Sequence, residues 1–195
     1  MLEKVSEAKK LDPRVRRTRQ LLRQALMELL AEKSFQAITV QDIAERATVN
    51  RVTFYAHFDD KYALLEDTMH AMFQERLRAA LPEGSRLTPA NLARLIELVG
   101  ETVKEFSARC PPPHGHFDNF LEKQVKASVY ELLRAWLAEL PNGAAHRHPT
   151  LDQVAMIASW AIYGAAVEWS KNEPREPAAE FAQHVLPLIL ASLPT

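Results

Sequence analysis

Four polar side chains crowd into the stretch Arg51-Val52-Thr53-Phe54-Tyr55-Ala56-His57-Phe58, and their types suit one chemistry. Arg51 brings a fork of donors that makes charge-assisted bonds to phosphate or guanine. Thr53 offers a hydroxyl, with a methyl for contact with thymine. Tyr55 and His57 carry polar tips of the right reach for the oxygens of a nucleic-acid backbone. Val52, Phe54 and Phe58 are expected to lock the segment onto its neighbours. Lys61 sits where another helix should begin, so its ammonium and the free backbone N–H groups suit a phosphate, and Thr39 offers the same arrangement at an earlier helix start. Spacing alone leaves a second reading open, in which these residues are the solvated polar faces of a small bundle.

The elements that must position these residues are helical. Glycine is scarce, β-branched alternation is rare, and apolar residues recur at helical intervals nearly throughout. Val15, Leu22, Leu26, Leu29 and Leu30 share one face of a helix opening near Asp12-Pro13, where Asp caps and Pro suits the first turn. Thr39-Val40-Gln41-Asp42 reads as a capping box opening a short second helix. A break at Thr48-Val49-Asn50 leads into a third, from Arg51 to about Phe58, and Asp59-Asp60 opens a longer fourth. Pro82-Glu83-Gly84-Ser85 interrupts the pattern. Beyond it, apolar stripes mark helices at 92–106, 120–140, 150–169 (opened by a second capping box, Thr150 to Gln153) and 178–192. The prolines at 111–113 make a loop. The expectation is an all-α protein of about nine helices, with an N-terminal three-helix helix-turn-helix unit over 1–66 and a C-terminal bundle over 67–195.

The run from Thr39 to Lys61, which contains Phe54-Tyr55-Ala56-His57-Phe58 followed by Lys61, closely resembles the DNA-binding signature of the tetracycline-repressor (TetR/AcrR) family. The preceding Leu-rich helix with Phe35 matches too, so the resemblance covers roughly residues 12–70. It implies a homodimeric one-component transcription regulator, usually a repressor released by a small-molecule effector. It also implies phosphate or base contacts at Thr39, Asn50, Arg51, Thr53, Tyr55, His57 and Lys61, on a near-palindromic double-stranded operator. One departure is Thr48, where the family usually has Gly or Asn. A β-branched residue is costly at positive φ, so a slightly different turn geometry is expected there.

Charge supports the same front end. Residues 1–58 carry 11 Lys and Arg against 7 Asp and Glu, while residues 59–195 carry 13 against 18. The longest nearly apolar stretch, Val154 to Val167, is 14 residues, short of the roughly 20 a bilayer span needs. With no signal-like opening and a single cysteine, a cytoplasmic location without membrane contact is expected. No Gly-rich phosphate loop, G-x-S-x-G or H-E-x-x-H is present, so catalysis is not expected. Asp59-Asp60 reads as a cap and not as an acid–base pair.

The helix through Val154–Val167 is apolar around most of its circumference and must be covered on several sides. Its small residues Ala158, Ala161 and Ala165 permit close approach. Together with Phe181, Val185, Leu188 and Ile189 on the last helix they suggest a two-fold four-helix interface; the other reading is a buried central helix in a monomer. Phe106, Phe120, Trp136, Trp160 and Tyr163 are candidates to line an effector pocket, although aromatics at helical spacing also build cores. No cofactor is implied. Cys110, His114 and His116, with His146 and His148, invite a metal or thiol reading, but the spacing matches no strong ligand pattern. No metal is assigned. A second class of function remains: an all-α interaction or sensing protein whose helix-turn-helix does not bind DNA.

Overall fold

The structure, a computed structural model, describes residues 12–109, 115–140, 150–173 and 175–193. These residues form eight α-helices and one short 3-10 turn, with no strand among them. The chain divides into two compact units, one ending at Thr68 and the other beginning at Met69.

Unit 1 holds α1 (Pro13–Glu32), the 3-10 turn Phe35–Ala37, α2 (Val40–Arg46), α3 (Arg51–Tyr55) and the start of α4 (Lys61–Ala80). Asp12 caps α1 by accepting a hydrogen bond from the Arg14 N–H at 2.8 Å, and Pro13 occupies the first turn. The α1 stripe is buried at Leu22, Ala25, Leu26 and Leu29. Phe35, Ile38, Ile43, Phe54, Phe58, Leu64 and Leu65 of the same unit are likewise buried. Arg19 donates to Asp67 Oδ1 at 2.7 Å and Arg23 donates to Oδ2, so α1 is bolted to α4 inside this unit. Burial pushes the Asp67 carboxyl up, but the two guanidinium bonds and charges outweigh it and hold it below the usual range.

Unit 2 is built from the rest of α4, α5 (Pro89–Arg109), α6 (Gly115–Ala138), α7 (Leu151–Lys171) and α8 (Ala178–Ser192). Its core joins Leu92, Ile96, Val99 and Val103 of α5 with Val125, Leu133 and Trp136 of α6, and with Ala155, Ala158, Ile162 and Trp169 of α7. Lys126 Nζ lies 4.1 Å from the Trp160 ring and Arg134 donates to Asp152 at 2.8 Å, so α6 and α7 run antiparallel. Thr150 and Gln153 form the expected capping box on α7. Trp169 stacks on Phe181 with ring centroids 5.0 Å apart. α8 comes so near α5 at this point that a Cβ on Gly100 would lie 3.1 Å from the Phe181 ring, so only glycine passes without the ring shifting.

Candidate nucleic-acid interface

The site is built from α2, the turn after it, and α3. Thr39 Oγ1 accepts from the Asp42 N–H at 3.1 Å while Asp42 Oδ2 accepts from the Thr39 N–H at 2.8 Å, closing the box that starts α2. Lys33 Nζ sits 2.9 Å from the same carboxylate. The bond from Lys33, followed by those from Thr39, draws the Asp42 carboxyl down to about 2. α2 ends in a Schellman motif: the Thr48 N–H bonds the Glu45 carbonyl at 3.0 Å and the Val49 N–H bonds Ala44 at 2.9 Å. That motif demands a left-handed residue, and Thr48 supplies it at φ 57°. The expected departure in turn geometry is therefore corrected. The chain keeps the left-handed turn and bears the strain of a β-branched side chain in it.

Asn50 caps α3. Its Oδ1 accepts from the Thr53 N–H at 2.7 Å and from the Thr53 hydroxyl at 2.9 Å. Asn50 and Thr53, both offered above as contacts to DNA, thus also orient one another and fix the start of the helix. α3 is shorter than expected: the N–H groups of His57 and Phe58 both turn back to the Phe54 carbonyl, so regular helix stops at Tyr55.

Phe54 and Phe58 are buried and hold α3 down, with ring centroids 6.1 Å apart. Val52 is not: it is 78% exposed, contrary to the locking role expected of it. It lies about 200° around the helix from Phe54, at ~100° per residue, so when Phe54 faces the core Val52 faces out. The outward surface of α3 is therefore Arg51, Val52, Tyr55 and Ala56, all exposed, with His57 half-buried at its edge. Exposed Val52 is the residue that sequence reading missed. Its signal was the four-residue interval between Phe54 and Phe58, which leaves Val52 on the opposite side.

Lys61 has a task inside the chain. Its Nζ donates to three carbonyls, Phe35 at 3.0 Å, Gln36 at 3.1 Å and Ile38 at 2.7 Å, and lies 4.7 Å from the Phe35 ring. An ammonium has three N–H bonds. All three are engaged on the chain itself in this structure. Burial lowers its pKa, opposed by the charge of Asp42. Asp60 in turn caps α4 by accepting from the Ala63 N–H at 2.8 Å.

In unit 2 the candidate effector residues scatter. Tyr163 lines a cavity of about 740 Å³ with Val103, Leu121, Val167, Glu122, Glu168 and Lys171 among its neighbours. Trp160, 61% exposed, lines a separate groove between α6 and α7 with Tyr130 and Met156. Neither lining includes Phe106, Phe120 or Trp136; Trp136 is buried in the core and its indole N–H has no partner among the described residues. Of the interface candidates, Ala158, Phe181 and Ile189 are buried within this chain's own core, Ala165 and Val185 are half-buried, and Ala161 and Leu188 are exposed. Beside them stand exposed Met156 and Ile157. Cys110, His114, His146 and His148 lie outside the described residues, as does the His116 side chain. Among the described residues no cluster of three His, Cys, Asp or Glu suits a metal. No described helix is long and apolar enough to cross a membrane.

These elements define a class of protein: an all-helical chain whose N-terminal unit presents a short, outward-facing helix after a tight turn, followed by a larger helical bundle. Residues 22–68 match the family described as bacterial regulatory proteins, tetR family. That match falls inside unit 1, the unit that carries α2, the tight turn and α3. Two HTH-type transcriptional regulators of Bacillus subtilis, both uncharacterized, are similar to it. YxbF is 42% identical over 59 residues, 30% of this chain and 16% of the relative. YdeS is 37% identical over 132 residues, 64% of this chain and 63% of the relative. The matches thus span less than two thirds of either relative. Among solved structures, Thermus thermophilus FadR, a TetR-family transcriptional repressor in complex with lauroyl-CoA, superposes with a TM-score of 0.58. It is 22% identical, over 91% of this chain and 95% of that one. At that identity the likeness concerns the fold.

Proposed function

We propose that this protein is a transcriptional regulator that binds a near-palindromic duplex operator as a homodimer and is released from it by a small-molecule effector. The observation that carries the reading is the outward face of α3. Arg51, Val52 and Tyr55 are exposed, while buried Phe54 and Phe58 fix the helix beneath them. Arg51 has the donors for guanine or phosphate, exposed Val52 the methyl groups for thymine, and Tyr55 a hydroxyl for the backbone. A helix of this size enters a major groove about 12 Å wide.

A dimer suits both units. Two copies of α3 set about 34–36 Å apart reach successive major grooves. Met156, Ile157 and Trp160 of α7 and Leu188 of α8 are exposed large apolar residues, and a second copy of the chain would cover them. The 740 Å³ cavity has the size of an effector site. It offers the Lys171 ammonium, already 2.9 Å from Glu168, against the carboxylates of Glu122 and Glu168. We therefore favour a compact, largely apolar effector over a highly phosphorylated one such as the neighbour's acyl-CoA. Release follows when that molecule binds better to the form in which the two α3 helices are out of register with DNA.

The test is DNA binding as a function of salt. Log affinity must fall steeply with log salt if phosphates are neutralised; a flat profile would sink the reading. On the operator, Arg51→Ala should weaken binding by about 1–3 kcal/mol, the worth of one good base contact. Unchanged affinity would remove Arg51 from the reading surface.

A further inference from the structure

We propose that Lys126 sets the length of the effector: its side chain walls the 740 Å³ cavity off from the groove beside it, so that only molecules short enough to stop at this wall are accepted. This rests on the reading of the cavity as the effector site. The groove has a volume of about 370 Å³ and lies between the same two helices, α6 and α7. On α6 the change from cavity to groove falls between Glu122 and Lys126, and on α7 between Tyr163 and Trp160. Those steps of four and three residues amount to only about 6 and 4.5 Å of helix rise. Lys126 Nζ lies 4.1 Å from the Trp160 ring centroid, so both boundaries fall at one level. With nothing standing there, the two spaces would form one trough.

Lys126 stands there. Its ammonium is held by a Glu122 carboxylate oxygen at 2.5 Å on the cavity side and by the Trp160 ring on the groove side. A lysine ordinarily lays its methylenes along apolar surface and sends its ammonium into water. Here only 17% of the side chain is exposed, against 63% for Lys171 at the rim of the cavity. Stability does not account for this, because an i,i+4 ion pair with a half-exposed partner contributes little. Two partners on opposite sides, one a carboxylate and one an aromatic face, instead fix a long and flexible side chain across the boundary.

The charges around both spaces are paired: Glu122 with Lys126, Glu168 with Lys171 and Asp152 with Arg134. Val103 and Leu121 on the cavity side are buried and apolar. Such walls suit an uncharged molecule with an apolar body. A chain of methylenes offers neither the Glu122 carboxylate nor the Trp160 ring a replacement for the ammonium, so it cannot displace Lys126 and must end at it. Past the wall, Met156 and Trp160 offer further apolar surface that a longer chain would cover if the wall were removed.

The experiment uses the full chain and straight-chain primary alcohols from hexanol to dodecanol, uncharged probes that lengthen by one carbon at a time, with affinity read by titration calorimetry. Each carbon buried should strengthen binding about fourfold. In the unaltered protein that gain should stop at one chain length. Lys126→Arg, which keeps a cation for Glu122 and Trp160, should keep the limit. Lys126→Ala should carry the gain on to longer chains at about fourfold per carbon. Only for those longer chains should the emission of exposed Trp160 shift to the blue, since Trp136 and Trp169 are already buried. The same limit in Lys126→Ala overturns this proposal alone, as does an unbroken gain in the unaltered protein or in Lys126→Arg. Val167→Phe narrows the cavity and should weaken every alcohol. If no alcohol binds the unaltered protein, or Val167→Phe leaves binding unchanged, the reading of the cavity as the effector site is overturned as well.

Discussion

At the scale of single residues, two side chains show how far a type can be from its task. Thr48 occupies a left-handed turn at φ 57° where a β-branched residue is strained. The cost of about 1–2 kcal/mol is partly offset because glycine would lose more chain entropy on folding, about 0.5–1 kcal/mol. Thr48→Gly should therefore leave DNA binding intact and stability equal or higher, by up to about 1 kcal/mol. A marked fall in melting temperature would show that the threonine makes a contact worth more than its strain. Lys61 closes the carbonyls of Phe35, Gln36 and Ile38. Lys61→Met should cost about 1–3 kcal/mol of stability, because partly buried carbonyls lose their donor. The salt dependence of DNA binding should change by less than one unit of slope if Lys61 makes no phosphate contact. Loss of a full unit without loss of melting temperature would return Lys61 to the DNA surface.

At the scale of elements, α2 and α3 are too short to persist by propensity and depend on their ends. α2 is held at one end by the Thr39–Asp42 box and at the other by the Schellman turn. Folding holds the Asp42 carboxyl at about 2, below its ordinary 3.8. A depressed carboxylate contributes stability that is fully present above its unfolded pKa and is lost as pH falls through the folded one. Melting temperature should therefore decline as pH falls from about 4 towards 2, and Asp42→Asn should flatten part of that decline. A variant whose acid profile matches the unaltered protein would show that Asp42 is not among the groups responsible. In unit 2 the matching case is Gly100, whose missing side chain lets Phe181 seat against α5.

At the scale of the whole molecule, net charge is divided between the two ends of the chain. Net positive charge lies before residue 59 and net negative charge after it. Exposed Met156, Ile157, Trp160 and Leu188 lie in unit 2. If a second copy covers them, Ile157→Glu should produce a monomer in sedimentation velocity, with little change in melting of the isolated chain because Ile157 is 55% exposed. Its affinity for a two-half-site operator should fall steeply, since each half-site then binds alone. An Ile157→Glu protein that remains dimeric would place the interface elsewhere.

Local interactions span a few residues, so they could be read from the chain directly. The capping boxes at Thr39 and Thr150, the Pro13 helix start, the buried Phe54 and the all-α class all follow from neighbours three or four positions apart. The run from Thr39 to Lys61 pointed to the family for the same reason. What only the tertiary structure decided depends on residues far apart in the chain. Lys61 meets carbonyls 23 to 26 residues away, Asp67 bolts α1 from 44 and 48 residues away, and Phe181 and Ile189 turn inward to meet other helices. A type and a spacing show what a side chain is able to do, but which atoms it meets is set by long-range packing, and that packing turned Lys61 inward and Val52 outward.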